Sequence, residues 1–161
     1  MTFGHQCGIS VVFCLALVVA ISGCSNDPFP VHPVSGLVTY KGELLADASI
    51  IFIPRDPNGR SAPGLTRHDG TFELMTVGAR RLGAMIGDYD VLISKEFPVD
   101  AQGRQTTFEA IEEAMAHLPE NVSRQPRMVS AIPEKYSDFR SPILQATVKR
   151  GQNDFVFDLG N

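Results

Sequence analysis

The amino-acid sequence predicts an all-β protein: a seven-stranded antiparallel Greek-key sandwich with a short helical insertion, preceded by an N-terminal signal helix. Three observations favour this fold. From residue 34 onwards, short segments of alternating apolar and polar residues recur between turns that contain Gly or Pro. One segment has helical periodicity instead, and residues 1–23 contain no Lys, Arg, Asp or Glu. The 161 residues are enough for one domain of ordinary size.

The composition excludes several classes of protein. The chain is 43% hydrophobic and 20% charged, so it has enough apolar content for a core and is not expected to be disordered. With 14 Lys and Arg against 18 Asp and Glu, its net charge is −4. We expect no nucleic-acid partner, because a protein that binds phosphates needs a basic face. Three Cys are too few for a disulfide scaffold.

The N-terminal segment is typical of a signal peptide. Residues 9–21 read ISVVFCLALVVAI and carry no charge. This run is shorter than the roughly 20 apolar residues of a membrane-spanning helix, and it fits the roughly 7–15 apolar residues of a secretory signal. Residues 1–8 contain no Lys or Arg, which is unusual for such a signal. We expect residues 1–23 to direct secretion across the inner membrane.

The end of this leader carries a more specific motif. Ile21, Ser22, Gly23 and Cys24 resemble the bacterial lipobox, in which an aliphatic residue and two small residues precede a Cys. The resemblance implies cleavage between Gly23 and Cys24 and attachment of a diacylglyceryl group to the Cys24 thiol. Two or more acyl chains anchor a protein stably in a bilayer. We therefore expect lipidated Cys24 to hold the chain in a membrane, at the periplasmic face or in the outer membrane.

Cysteine usage favours lipidation over the alternative, an ordinary secreted protein with a free thiol at residue 24. Cys7 and Cys14 would be removed with the leader, which leaves Cys24 without an internal disulfide partner. An exposed, unmodified thiol outside the cytoplasm is open to oxidation.

Residues 24–33 predict a Pro-rich tether. Pro28, Pro30 and Pro33 lack a backbone N–H donor and favour extended, polyproline-like geometry. At roughly 3 Å per residue, such a segment spans about 25 Å. We expect it to separate the membrane from a domain formed by residues 34–161.

Alternating segments predict the first strands of that domain. Residues 34–40 alternate and end at a Lys41-Gly42 turn. Residues 48–53 (ASIIFI) are apolar on both faces, which is typical of a central strand. Residues 71–76 alternate again, and the preceding residues 68–70 predict a hairpin turn.

The remaining strands lie in the second half of the chain. Tyr89, Val91 and Ile93 repeat the alternation. Near the C-terminus, residues 144–148 and 155–159 alternate on either side of a polar turn at residues 149–153. These two segments are expected to pair with each other as a hairpin.

Residues 97–132 predict an insertion in a loop. Within it, residues 107–118 (TFEAIEEAMAHL) favour an amphipathic helix, with Thr106 or Thr107 as its N-cap. Its apolar residues recur at spacings of three to four: Phe108, Ile111, Met115 and Leu118. We expect the helix to cover an edge strand. The alternative is a lid or a surface that binds a partner.

Three motifs resemble those of carboxypeptidase-regulatory-like domains. Residues 33–48 (PVSGLVTYKGELLADA) resemble the opening V-x-G-x-V-x-x-x-G-x-P-x-x-x-A; residues 66–72 (TRHDGTF) and 87–91 (GDYDV) resemble T-D-x-x-G-x-F and G-x-Y-x-V. The chain departs from the family at Leu45, where Pro is usual, and at Arg67, where Asp is frequent. Over residues 20–161 the arrangement is similar to small lipoproteins of planctomycete bacteria. The resemblance implies a transthyretin-like sandwich of seven strands.

No catalytic residue, cofactor or metal site is expected. His117 and Glu120 match the HxxE spacing of metallocarboxypeptidases, but no third ligand lies nearby in the sequence. Asp69, Asp88 and Asp90 would offer oxygen ligands to calcium if their loops converged. Asp residues in turns more often bond to their own backbone.

These observations leave three functional hypotheses. The leading one is a lipid-anchored, non-enzymatic binding or structural module of the cell envelope, with an envelope protein or a polysaccharide as partner. The second is a metal-dependent ligand-binding or hydrolytic protein with a site near the helix at residues 107–120. The third is a subunit of an envelope assembly that pairs through an exposed edge strand.

Overall fold

A computed structural model describes residues 28–100, 102–116 and 127–160. The predicted signal helix, the lipobox with Cys24, and the HxxE residues His117 and Glu120 lie outside these residues. Within them the chain forms strands and one α-helix, listed here in chain order: β1 (Val31–His32), β2 (Val34–Tyr40), β3 (Glu43–Leu44), β4 (Ser49–Pro54), β5 (Ala62–Leu65), β6 (Thr71–Glu73), β7 (Ala84–Met85), β8 (Gly87–Ser94), β9 (Glu96–Val99), α1 (Phe108–Ala116), β10 (Arg127–Ser130), β11 (Leu144–Val148) and β12 (Asn153–Leu159). The fold is all-β with one short helix.

The first sheet has the order β11-β8-β4-β5, and all its pairs are antiparallel. The predicted central strand is confirmed, because β4 pairs with β5 on one side and with β8 on the other. The alternation along β8 is confirmed as well: Tyr89, Val91 and Ile93 are all buried.

The second sheet is built around β2, which pairs with β12 on one side and with β3 and β6 on the other. Strand β12 runs parallel to β2, with Asn153 opposite Val34 and Leu159 opposite Tyr40. The expected C-terminal hairpin is therefore wrong: β11 pairs with β8 and β12 pairs with β2, in different sheets. After β11 the chain crosses to the other sheet, where β12 pairs parallel to β2. The sandwich is therefore not purely antiparallel.

Asn153 explains why the residues between β11 and β12 join two sheets instead of closing a hairpin. Its side-chain amide donates hydrogen bonds to the carbonyl oxygens of Lys149, Gly151 and Pro33, at 2.9, 3.0 and 3.2 Å. Its side-chain oxygen accepts a bond from the Lys149 N–H at 2.8 Å. The buried amide thus fastens the turn to the start of β2, which directs β12 alongside that strand.

The turn at residues 68–70 likewise joins two sheets. The Gly70 N–H donates to the Arg67 carbonyl at 2.9 Å, and Gly70 has a φ of 73°. However, β5 pairs with β4 and β6 pairs with β2. The predicted hairpin-type turn is nevertheless confirmed, because the Arg67 N–H donates to the Thr71 carbonyl at 2.7 Å and the Met75 N–H donates to the Pro63 carbonyl at 3.0 Å.

The core lies between the two sheets and is rich in aromatic rings. Phe52 of the first sheet faces Phe157 and Phe155 of the second, with ring centroids 6.1 and 5.6 Å apart. Tyr89 packs against Phe52 at 5.7 Å, and its hydroxyl donates to the Met85 carbonyl at 2.9 Å. Burial raises the pKa of Tyr89. Edge-to-face ring pairs of this kind add to the stabilisation that burial gives.

Part of the predicted tether belongs to the folded domain. Val31 is buried, and β1 pairs with β7 in an antiparallel register. The Phe29 ring lies 4.2 Å from the guanidinium of Arg60. Residues 28–33 therefore pack on the sandwich and are not a free spacer.

The insertion projects from the sandwich as a two-stranded ribbon that carries the helix. Strands β9 and β10 pair antiparallel, with Glu96 opposite Ser130 and Val99 opposite Arg127. The Thr107 side-chain oxygen accepts a bond from the Ala110 N–H at 3.3 Å, as the predicted N-cap requires. We call residues 96–130 the arm. The ribbon is not apparent from the sequence, which predicted only the helix.

The strand directions give the sandwich two different ends. Strands β2, β5, β8 and β12 run away from β1, and β4, β6 and β11 run back towards it. The tether end carries residues 28–33 and the connections β4–β5, β6–β8 and β11–β12. The arm end carries the arm and the turns at residues 41–42 and 66–70.

Candidate functional site

A groove of about 500 Å³ lies at the arm end, between the β9–β10 ribbon and the segment 134–140. Its borders include residues from both elements: Glu96, Met128, Ser130, Glu134, Phe139 and Arg140. The groove combines exposed apolar and charged side chains. We take it as the candidate binding site.

A short 3-10 turn holds one wall of the groove in place. The turn spans Glu134–Tyr136, and Tyr136 is buried. The Tyr136 hydroxyl donates to the Gly160 carbonyl at 2.8 Å, which ties the wall to the end of β12. The Asp138 side chain accepts a bond from the Arg140 N–H at 2.9 Å. These bonds fix the backbone on both sides of Phe139.

The apolar part of the groove is open to solvent. The Phe139 side chain is 70% exposed and the Met128 side chain is 38% exposed. The guanidinium of Arg140 lies 5.6 Å from the centre of the Phe139 ring. Large exposed apolar side chains with a charged rim are typical of surfaces that bind a partner.

The charges around the groove have both signs. Glu96, Glu134 and Asp138 are acidic, and Lys135 and Arg140 are basic. All five side chains belong to exposed residues. Such a rim fits a partner with both signs of charge better than it fits a polyanion or a polycation.

The serine hydroxyl groups at the groove donate hydrogen bonds to backbone carbonyls. The Ser130 hydroxyl donates to the Ile132 carbonyl at 2.7 Å, and the Ser137 hydroxyl donates to the Glu134 carbonyl at 3.1 Å. His32 lies at the tether end and His68 at the arm end, so the described histidines are far apart. Within the described ranges, no Ser–His pair of the kind used in nucleophilic catalysis is assembled.

The hypothesis that Asp69, Asp88 and Asp90 bind calcium together is wrong. Asp69 accepts bonds from the Thr71 hydroxyl at 2.6 Å and the Thr71 N–H at 3.0 Å, and these bonds lower its pKa. Asp88 accepts a bond from the Thr147 hydroxyl at 2.6 Å. Asp69 belongs to a turn at the arm end, whereas Asp88 and Asp90 lie on β8 near the tether end.

Asp90 forms an ion pair with Arg55. Its carboxylate accepts bonds from the Arg55 Nε at 2.9 Å and from a terminal guanidinium nitrogen at 2.5 Å. The hydrogen bond that Arg55 donates to Asp90 raises the pKa of Arg55. Across residues 28–100, 102–116 and 127–160, no three His, Cys, Asp or Glu side chains are grouped as metal ligands.

Comparisons with models of protein families, with curated proteins and with solved structures give no match to this chain. In the part of the chain that the structure describes, no helix is long and apolar enough to cross a membrane.

Sequence reasoning missed the residues of the groove. Phe139 lies in the polar stretch S-D-F-R-S, where a single large ring is the one available signal. Met128 lies on the unpredicted strand β10. The helix α1, which was the predicted candidate surface, buries Ile111 and leaves Phe108 54% exposed.

Proposed function

We propose that this chain is a lipid-anchored, non-enzymatic binding module of the bacterial cell envelope, with a Greek-key sandwich of the carboxypeptidase-regulatory-like, transthyretin-like type. In this proposal, lipidated Cys24 holds the tether end at the periplasmic face or the outer membrane. The groove at the arm end binds the partner.

The observation that carries the proposal is the position of the arm relative to the N-terminal segment. Residues 28–33 pack at one end of the sandwich, and the arm projects from the other. A membrane anchor before residue 28 would therefore place the groove on the side of the domain that faces away from the bilayer. This orientation suits a module that meets partners beyond the membrane surface.

The chemistry of the groove favours a protein segment as the partner. Phe139 and Met128 offer apolar contact, and the rim offers both signs of charge for ion pairs. A polysaccharide is the alternative partner, because an exposed aromatic ring can also stack on the apolar face of a sugar.

Edge-strand pairing is a second candidate function, supported by β12. Within the described residues β12 pairs only with β2, so its other edge is open. Val156 on this strand is 71% exposed. An open edge of this length could accept a strand from a partner subunit.

Metabolic labelling tests the anchor. Bacteria that express the full chain are supplied with a clickable fatty acid, and the purified protein is examined for label. We expect label on the wild type and none on Cys24→Ala. Cys14→Ala is the matched control, because this Cys lies in the predicted leader and its loss should leave labelling intact. Equal label on wild type and Cys24→Ala would overturn the lipoprotein proposal.

Photo-crosslinking tests the binding surface. A photoreactive amino acid replaces Phe139 in the full chain within living bacteria, and Val156 is replaced in a parallel strain. A crosslinked protein band from position 139 but not from 156 supports the groove. A band from position 156 alone supports edge-strand pairing instead. A product at 139 that is digested by glycosidases identifies a polysaccharide partner.

A further inference from the structure

The tether end gathers cations that are far apart in the sequence. Three connections between strands contribute them, and all five residues are exposed: Arg60, Arg80, Arg81, Lys149 and Arg150. They are more than a third of the 14 Lys and Arg in the chain. The fold therefore brings these five cations together at one end of a protein whose net charge is −4.

Contacts with the N-terminal segment place these connections side by side. The Arg60 guanidinium lies 4.2 Å from the Phe29 ring. A Cβ on Gly78 would lie 3.3 Å from that ring, so the β6–β8 connection also packs against Phe29. The Gly151 N–H donates to His32 Nδ1 at 3.1 Å, which brings the β11–β12 turn to the same segment.

Acidic residues are absent from the segments that carry these cations, although Asp56, Asp88 and Asp154 are exposed beside them. Residues 28–33, 57–65, 75–87 and 149–153 contain five Lys and Arg and no Asp or Glu. The chain as a whole has 18 Asp and Glu. The nearest acidic side chain of the β4–β5 connection, Asp56, bonds to the Asn58 N–H at 2.8 Å.

Large apolar side chains are exposed in the same connection as Arg80 and Arg81. Val77 and Leu82 of the β6–β8 connection are 54% and 48% exposed, and Ile86 is 54% exposed. Cations combined with exposed apolar residues are typical of surfaces that lie in the head-group region of a bilayer.

The length of the chain before residue 28 limits how far this surface can be from an anchor at Cys24. Four Cα–Cα steps separate residues 24 and 28, and at about 3.8 Å per step they span at most about 15 Å. Since Phe29 packs on the sandwich, the tether end must lie within this reach of the lipidated residue.

We propose that the tether end binds the anionic head groups of phospholipids and so fixes the orientation of the domain on the membrane. The orientation rests on the proposed lipid anchor at Cys24, whereas the affinity for anionic lipid does not. The cations meet the phosphates, and Val77, Leu82 and Ile86 enter the head-group layer. The arm then points away from the bilayer.

Vesicle binding tests this surface without the anchor. The fragment of residues 28–161 is suitable, because it contains every strand from β1 to β12 and all the core residues of the described structure. It is mixed with vesicles of phosphatidylcholine alone, or of phosphatidylcholine with phosphatidylglycerol, and sedimented. We expect binding to the anionic vesicles only, and we expect it to weaken as salt is added.

Two charge-matched double variants locate the surface. Lys149→Gln with Arg150→Gln should lower the partition coefficient about 25-fold, from about fivefold for each basic side chain at an anionic surface. Lys41→Gln with Arg127→Gln removes the same charge from the arm end, outside the groove, and should leave binding unchanged. Arg80→Gln with Arg81→Gln provides a second test of the tether end. Circular dichroism confirms that each variant is folded.

Three results would overturn the inference: no binding to anionic vesicles, equal binding to neutral vesicles, or equal losses in the variants of the two ends. Because the fragment lacks Cys24, these results are independent of fatty-acid labelling. Binding without labelling would leave the lipid-binding surface intact and reject the anchor. Fatty-acid labelling without vesicle binding would keep the anchor and reject the lipid-binding surface.

Discussion

The arm should be removable without unfolding the sandwich. In the proposed variant, an Asn-Gly turn replaces residues 98–128, so that Phe97 and Val129 become the last residues of a short hairpin. These two residues are opposite each other in the ribbon. The Ala131 N–H donates to the Lys95 carbonyl at 2.7 Å, so Lys95 and Ala131 form a hydrogen-bonded pair. Such pairs recur at every second position of an antiparallel ribbon, which makes Phe97 and Val129 the next one, and a two-residue turn closes a pair of this kind.

The expected change in stability is small because the arm contributes nothing to the main core. None of the core residues of the described structure lies between 98 and 128; the buried residues Val99 and Ile111 lie within the arm and outside the core cluster. The replacement halves the length of the connection about four times, which lowers the entropic cost of closing this loop by about 2 kcal/mol. The packing lost within the arm opposes this gain. We therefore expect the free energy of unfolding to change by less than about 2 kcal/mol.

Urea denaturation of the 28–161 fragment, followed by circular dichroism, measures the change. Phe52→Ala is the matched control for a core defect: it removes a fully buried ring and should cost about 3–5 kcal/mol. A loss of that size in the arm variant would refute the reasoning, because it would mean that the arm helps to hold the sandwich together. A stable arm variant should also bind anionic vesicles as the intact fragment does.

Two further changes test local features of the fold. Gly36→Ala should lower the free energy of unfolding, measured in urea, by about 1–3 kcal/mol, because its Cβ would lie 2.2 Å from the Phe155 carbonyl oxygen and 2.6 Å from the Phe72 ring. Gly42→Ala is the control: it has nothing within 4 Å but a φ of 82°, so it should cost only about 1 kcal/mol. Equal losses in the two variants would contradict the packing argument. Asp69→Ala should lower the melting temperature most above pH about 4, since hydrogen bonds from Thr71 lower the pKa of Asp69 in the folded state and the stability they give is lost as the pH falls through that lowered pKa. A difference in melting temperature that persists unchanged in acid would refute this assignment.

The sequence predicted the strands better than their partners. Alternation reveals which side chains of a strand face the core, as Tyr89, Val91 and Ile93 do, because the side-chain period is a property of the strand alone. It does not reveal the neighbouring strand. The contacts of Asn153 with Pro33 decide that β12 joins β2, and these residues are 120 positions apart.

The ribbon of the arm escaped prediction for a different reason. Strands β9 and β10 are four residues each, β9 contains Pro98, and the two are separated by the helix. Strands this short carry little alternation, and proline within one argues against a strand assignment. The groove depends on this ribbon, so the candidate site could not be placed before its walls were known.

The direction of the strands determines at which end of the sandwich the groove and the basic surface lie. A connection that follows β4, β6 or β11 must lie at the tether end, because these strands run towards β1. Those three connections are the ones that carry Arg60, Arg80 with Arg81, and Lys149 with Arg150. The long insertion follows β8, which runs the opposite way, so it can only project from the arm end. With an anchor before residue 28, a loop that follows a strand running towards β1 lies next to the bilayer. A loop that follows a strand running away from β1 lies at the opposite end of the domain. Such an anchor would therefore place the three basic connections at the bilayer and the arm at the opposite end of the domain.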